Sequence, residues 1–227
     1  MRNIAITIFG MLWTAIVLQA QFSAGIKSGV LINDVHVESG AVNLNKLIHP
    51  ITGYNIGAFS NYQLNEDWSL QGELLYKHSG FQISEGTSVD ILGLDVPLGV
   101  TARTTVNYLE VPLLVQYKHR LGGITGYINA GPSLNYALNG HVKTVANSIL
   151  DFNINTTHLN LSSDRYNRLG VAANIGAGIE YDTSDDIYVH ANIRYTSDFS
   201  SQVEVPIIEA GVRNSSWALG LGVGRRF

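Results

Sequence analysis

The chain has 227 residues, 45 % of them hydrophobic and 14 % charged, with 23 Gly, 11 Tyr and no Cys. The absent cysteines exclude a disulfide-stapled scaffold, thiolate metal sites and a cysteine nucleophile, and 14 Lys and Arg against 18 Asp and Glu leave no basic excess for nucleic acid. Charge is far below the ~25 % of an ordinary soluble domain, while apolar residues are too frequent for a disordered chain.

Met1–Ala20 places Arg2 before an apolar run, Ile4–Leu18, and ends on Leu18-Gln19-Ala20. One positive charge, a short apolar core and a small exit residue predict a secretory signal peptide cut after Ala20. The run is shorter than the ~20 apolar residues of a spanning helix. Residues 21–227 are then expected to form one domain.

From residue 21 onward the pattern alternates with period two. Eight segments are predicted near 21–32, 51–64, 68–79, 104–118, 124–138, 168–182, 187–197 and 216–227. In the third, Trp68, Leu70, Gly72, Leu74 and Tyr76 share one face, and Gln71, Glu73 and Lys77 the other. In the fourth, Leu109, Val111, Leu113, Val115 and Tyr117 oppose Glu110, Pro112 and Gln116. The sixth sets Val171, Ile175 and Ile179 against Asn174, Gly176 and Glu180, and the seventh sets Ile193 and Tyr195 against His190, Asn192 and Arg194. Connections alternate: long at 33–50, 80–103, 139–167 and 198–215, short at 65–67, 120–123 and 183–186. Such alternation is what an up-and-down meander gives when one rim faces outside and the other the periplasm.

One face of these segments is greasy and the other carries Gly, Ser, Asn and isolated charges. An eight-stranded barrel has a lumen just wide enough for side chains, which suits the second set. The apolar face then meets lipid, because a soluble barrel would expose an apolar patch of hundreds of Å². In hydrocarbon every backbone N–H and C=O needs a partner, so the strands must close. The predicted fold is all-β: an eight-stranded antiparallel up-and-down transmembrane β-barrel with long outer loops and short periplasmic turns. Tyr54, Tyr62, Trp68, Tyr76, Tyr117, Tyr181, Tyr195 and Trp217 fall near strand ends, where interfacial girdles belong.

Asn107–Lys118, NYLEVPLLVQYK, resembles the Tyr-x-Glu-Ile/Val-Pro-Leu-Leu strand of the PorT-like outer-membrane β-barrel proteins of Bacteroidota, and Ala130–Leu138, AGPSLNYAL, resembles the Gly-Pro-Ser-x-x-Tyr strand that follows it. The resemblance implies a porin-family outer-membrane protein with no catalytic residues to carry over. It also implies recognition of the terminal aromatic Phe227 by the barrel assembly machinery, and admits a partner in a secretion apparatus. A turn centred near Leu121-Gly122 would pair Val111 with Pro132 and Pro112 with Gly131, removing adjacent ladder donors. A bulge or local kink is expected there, the alternative being a different register.

Candidate chemistry is sparse. His36, His49, His141 and His158 are expected in outer loops, and His190 in the lumen. His78 is expected to face lipid beside Ser79, which points the other way, so a nucleophile and base on one face are lacking. Gly220–Gly224 lies on a strand with no helix after it and fails as a phosphate cradle. Asp182–Asp186 lacks the spacing of a calcium loop. No catalytic, metal or cofactor residue is assigned. The site expected is a lumen charge network in which Glu73, Glu110 and Glu180 take Lys27, Lys77 or Arg194 as partners, since an unpaired buried charge costs several kcal/mol.

The function expected is that of a non-enzymatic integral outer-membrane barrel, without an open channel, acting through its extracellular loops. Its partners would be outer-membrane lipid, the assembly machinery and an extracellular or secretion-apparatus protein. A narrow porin for small solutes and a lipid-modifying enzyme are the alternatives; a soluble ligand-binding barrel is the reading that sidedness disfavours.

Overall fold

The computed structural model describes residues 21–38, 48–91, 94–147, 152–158, 168–199 and 211–227; the predicted signal peptide lies outside the described residues. The strands are β1 (Phe22–Glu38), β2 (Ile48–Pro50), β3 (Thr52–Gln63), β4 (Trp68–Ile91), β5 (Leu94–Leu121), β6 (Ile124–Asn147), β7 (Phe152–His158), β8 (Leu169–Asp182), β9 (Ile187–Asp198) and β10 (Gly211–Arg226). Eight of them run in the order β4-β3-β1-β10-β9-β8-β6-β5, and the β4–β5 pairing closes the cylinder. Every neighbouring pair is antiparallel. Closure leaves no edge within the barrel, which is the only way strands can cross hydrocarbon.

The short turns have local chemical causes. Asn65 Oδ1 accepts from the backbone N–H groups of Asp67 and Trp68, at 3.0 and 2.8 Å, and folds β3 onto β4. Between β5 and β6, Leu121 pairs with Ile124 across two glycines, and Gly122 takes a φ of 65° that side-chain-bearing residues avoid. Ser184 Oγ accepts from Ile187 N–H at 3.1 Å in the third turn. Phe22 and Phe227 lie on this same rim, where Phe227 N–H donates to the Phe22 carbonyl at 2.9 Å. Short turns of outer-membrane barrels face the periplasm.

Sidedness is unambiguous. Leu70 is 45 % exposed and Ile175 62 %, whereas Glu73 and Arg194 are each 4 % exposed. Outward apolar residues run up β4 from Trp68 to Tyr76, up β5 from Tyr117 to Leu109, and up β6 from Ile124 to Leu138. Each of the first two stretches covers eight residue-to-residue steps, about 26 Å along a strand at ~3.3 Å per residue. At a tilt of roughly 40° this is a height of ~20 Å between the Cα atoms, which the rings at either end extend toward the ~25 Å apolar band of an outer-membrane barrel. Aromatic rings mark both borders. Trp68 meets Tyr117 at 5.2 Å and Phe22 meets Phe227 at 6.1 Å on the short-turn side. Tyr54 meets Tyr76 at 6.4 Å and Tyr195 meets Trp217 at 5.0 Å on the other.

Two expectations need correction. The β5–β6 register pairs Val111 with Leu134 and Pro112 with Ser133, not with Pro132 and Gly131, because the two-residue turn sits one residue later than expected. The missing donors do leave marks. Pairing lapses between Pro112↔Ser133 and Val115↔Ala130, at Pro132, and on the other side of β5 between Gly72↔Leu113 and Leu75↔Glu110, at Pro112. The bulge itself falls higher, between Asn107 and Tyr108.

The second correction concerns the outer connections. The stretch 80–103 is mostly strand: β4 and β5 stay paired as far as Ile91↔Leu94. The stretch 139–167 contains the upper end of β6 and all of β7. Above the membrane β2 replaces β3 beside β4, and β7 replaces β8 beside β6. The result is a five-stranded blade, β2-β4-β5-β6-β7, continuous with the barrel wall. A second ribbon, β1 with β10, stays paired to Glu38↔Gly211. His36, His49, His141 and His158 therefore lie on strands. Backbone pairing, which period-two patterning reports only where one face is buried, carries these segments past the apolar band.

Candidate functional site

The lumen is mainly polar: most inward positions carry Ser, Thr, Asn, Gln or charge, with Leu31, Phe59, Leu75 and Leu114 buried among them. At mid-height, β4 brings in Glu73, β1 brings in Lys27 and β9 brings in Arg194. The Arg194 guanidinium grips Glu73 with both ends: Nη1 donates to Oε2 at 2.8 Å and Nη2 to Oε1 at 2.6 Å. Such a fork is the strongest form of charge-assisted pairing. Lys27 Nζ donates to Glu73 Oε1 at 3.1 Å, and the Gln71 amide donates to the same oxygen. One carboxylate is thus shared by two cations across the width of the barrel.

One layer higher, Lys77 Nζ lies 3.7 Å from Glu110 Oε2 and 3.4 Å from Ser216 Oγ. Glu180 stands apart from the residues expected to pair with it. It sits toward the periplasmic rim, where Lys118 Nζ donates to it at 2.8 Å and Arg226 Nη2 lies at 3.6 Å. Arg226 also binds Asp182 at 2.7 Å and lies 4.5 Å from the Tyr188 ring centre. Lys118 and Arg226 are lumen charges left out of the network expected from the sequence. Their even numbers place them on the same face as Gln116 and Gly224, which is the signal that could have found them.

Amide networks fill the space between. Asn61 donates to Gln116 Oε1 at 2.7 Å, which also accepts from Ser69 Oγ at 3.1 Å. Phe59 packs edge-on against His190 at 5.0 Å, and Tyr127 Oη lies 3.5 Å from His190 Nδ1. Several buried polar atoms of this lumen have no protein partner, among them His190 Nε2, Arg194 Nε, Gln116 Nε2 and Asn129 Oδ1. Such atoms bind water wherever the cavity has room. A cavity of about 400 Å³ opens at the periplasmic rim, lined by Gln63, Glu66, Lys118, Glu180 and Arg226 among others.

Outside the barrel, His78 is held in place. Its Nδ1 lies 2.6 Å from Asn107 Oδ1, and its ring stacks on Tyr54 at 5.1 Å. Ser79 points into the lumen and donates to Asn33 Oδ1 at 2.7 Å. The two side chains share no face. Among the described residues no group of three His, Cys, Asp or Glu is placed to hold a metal ion.

A closed eight-stranded cylinder, greasy outside between two aromatic borders and polar within, defines an integral outer-membrane β-barrel. The chain belongs to the outer membrane protein beta-barrel domain family, whose model matches residues 19–201. No curated protein matches it in sequence. Among solved structures it is similar to the outer membrane protein OprG of Pseudomonas aeruginosa, with 12 % identity over 92 % of this chain and 97 % of that one, at a TM-score of 0.48. It is also similar to Neisserial surface protein A, with 12 % identity over 91 % and 97 % of the chains and a TM-score of 0.47. The attachment invasion locus protein Ail of Yersinia pestis shares 17 % identity over 91 % and 99 %, at 0.38.

Proposed function

We propose that this outer-membrane barrel presents an extracellular β-blade as an interaction surface, with its lumen held shut by the Lys27–Glu73–Arg194 cluster and the neighbouring Lys77–Glu110 pair. The observation that carries the reading is the length of β4 and β5. Their pairing continues from Tyr76 to Ile91, well past the upper aromatic border. A barrel that only filled the membrane would have no use for so much ordered strand outside it. The partner in view is an extracellular or secretion-apparatus protein. Kinship with the PorT-like proteins of Bacteroidota is the finer form of the same reading, supported by Asn107–Lys118 on β5 and Ala130–Leu138 on β6. Export by a signal peptide cut after Ala20, and recognition of Phe227 by the assembly machinery, belong to it as well.

A second reading, a narrow path for small solutes, is favoured by a specific observation. The lumen is mainly polar, orphaned buried polar atoms suit a file of water, and a mouth already opens at the periplasmic rim. The shared carboxylate of Glu73 is then the constriction to be displaced. Single-channel recording of the reconstituted full chain separates the two. The first reading expects no conductance steps, together with a discrete photocrosslinked adduct in intact cells from a probe placed at Gln82. Regular small steps without an adduct would establish the second. The lipid-modifying alternative is not supported by the His78 and Ser79 geometry.

A further inference from the structure

The outward face of the blade just above the apolar band has an order of its own. Three rows cross β4, β5 and β6 at successive outward positions. The first is His78↔Asn107↔Asn139, the second Gly80↔Thr105↔His141 and the third Gln82↔Arg103↔Lys143. The first row is tied together, since Asn107 Nδ2 donates to Asn139 Oδ1 at 2.7 Å while His78 holds the other side of the same amide. In the third row Arg103 and Lys143 are direct cross-strand partners, and both are exposed. Like charges placed so oppose each other and destabilise the pair. No row contains a carboxylate to compensate. On the flank, Arg168 Nη1 donates to the hydroxyl of the outward Tyr136 at 3.5 Å, which adds a third cation at the membrane border.

We propose that this face binds the phosphorylated saccharide headgroup of an outer-leaflet glycolipid. An anion between Arg103 and Lys143 turns their repulsion into a two-sided clamp, of the kind guanidinium and ammonium groups form with phosphate. Height selects the headgroup. Arg103 stands three outward positions above Leu109, about 20 Å along the strand at ~3.3 Å per residue. At a tilt of roughly 40° this is ~15 Å above the apolar band. The polar zone of a phospholipid leaflet is only ~5–8 Å deep, so its phosphate lies well below the clamp. Phosphates carried on sugars beyond the acylated ones rise to that level. The clamp stands directly over the lipid-facing wall, where such a molecule would have its acyl chains against Leu109, Val111 and Leu134. The inference is independent of whether the lumen conducts.

The test uses the full chain refolded in phosphatidylcholine vesicles, alone or with phosphorylated lipopolysaccharide, with phosphatidylglycerol, or with inorganic phosphate in the buffer. The reading is the temperature at which the folded gel band is lost. Lipopolysaccharide is expected to raise it, and R103Q/K143Q, which relieves the cross-strand repulsion, is expected to lose most of that rise while matching or exceeding the wild-type value in phosphatidylcholine alone. R120Q, a change at the exposed periplasmic rim, is expected to keep the rise. If the double variant does not refold, K143Q alone serves, with a partial loss expected. An equal rise in the variants, or no rise in the wild type, overturns the site. An equal rise with phosphatidylglycerol or inorganic phosphate overturns the choice of a phosphorylated saccharide.

Discussion

The Tyr127 ring occupies the space that a side chain at Gly178 would need. The two residues are direct partners across β6 and β8, and a Cβ at Gly178 would stand 2.5 Å from the Tyr127 hydroxyl. The same relation recurs around the lumen. Phe59 lies over its partner Gly25, Tyr188 over Gly224, and Asn192 over Gly220. Large inward side chains fit a narrow cylinder by lying flat on the neighbouring strand, which requires a glycine there. The GLGVG segment is thereby accounted for by packing.

Gly178→Ala is therefore expected to destabilise the barrel by ~1–3 kcal/mol, the usual cost of overpacking. Tyr127→Ala made in addition should recover part of this loss, because the two changes share one space. Urea unfolding of the four species of the cycle measures it. Strict additivity would refute the seat.

Glu73→Gln is expected to cost ~3–5 kcal/mol, since it strands Lys27 and Arg194 in a buried site. Arg194→Ala should also lower stability, but less, because Lys27 still neutralises Glu73. The ordering of the two unfolding midpoints is the measurement. An unchanged midpoint in both would show that the cluster contributes nothing.

Replacing Lys27, Glu73 and Arg194 together with Ala should open the mid-height constriction without leaving a stranded charge from the cluster. Small conductance steps in planar bilayers are expected from the triple variant and not from the wild type. Equal traces would place the constriction elsewhere in the lumen.

Ile175→Arg tests sidedness directly. The residue points at mid-band lipid, where an arginine costs ~2–4 kcal/mol. Unfolding from vesicles should show that loss.

Phe227 is 63 % exposed, with its ring beside Phe22. Phe227→Ala is expected to change the stability of refolded protein by less than ~0.5 kcal/mol, as surface changes usually do. Membrane-inserted yield in cells should fall if the assembly machinery reads the residue. Normal yield would remove it as a signal.

Much of this was legible in the linear pattern. Leu70, Val111, Ile175 and Ile193 against Glu73, Glu110 and Arg194 identified the lipid face, because a strand alternates sides with period two and only one side tolerates charge. Strand number followed from the eight alternating segments, separated on one rim by short polar or glycine-bearing turns at 65–67, 120–123 and 183–186. What the pattern did not contain was height. Parity places Glu73, Glu110 and Glu180 on one face but is silent on their level along the axis. That level depends on strand tilt and stagger, which closure of the whole cylinder sets.

The amino-acid sequence by itself determined that the chain forms a membrane barrel, since alternation, turn chemistry and low charge act locally and each survives in a one-dimensional reading. The tertiary structure alone decided who meets whom. It gave Glu73 two cations from strands far apart in the chain, gave Glu180 to Lys118 and Arg226, and carried β4, β5 and β6 beyond the membrane as a blade. Those contacts arise from register and curvature, and register is fixed only when the last strand hydrogen-bonds to the first.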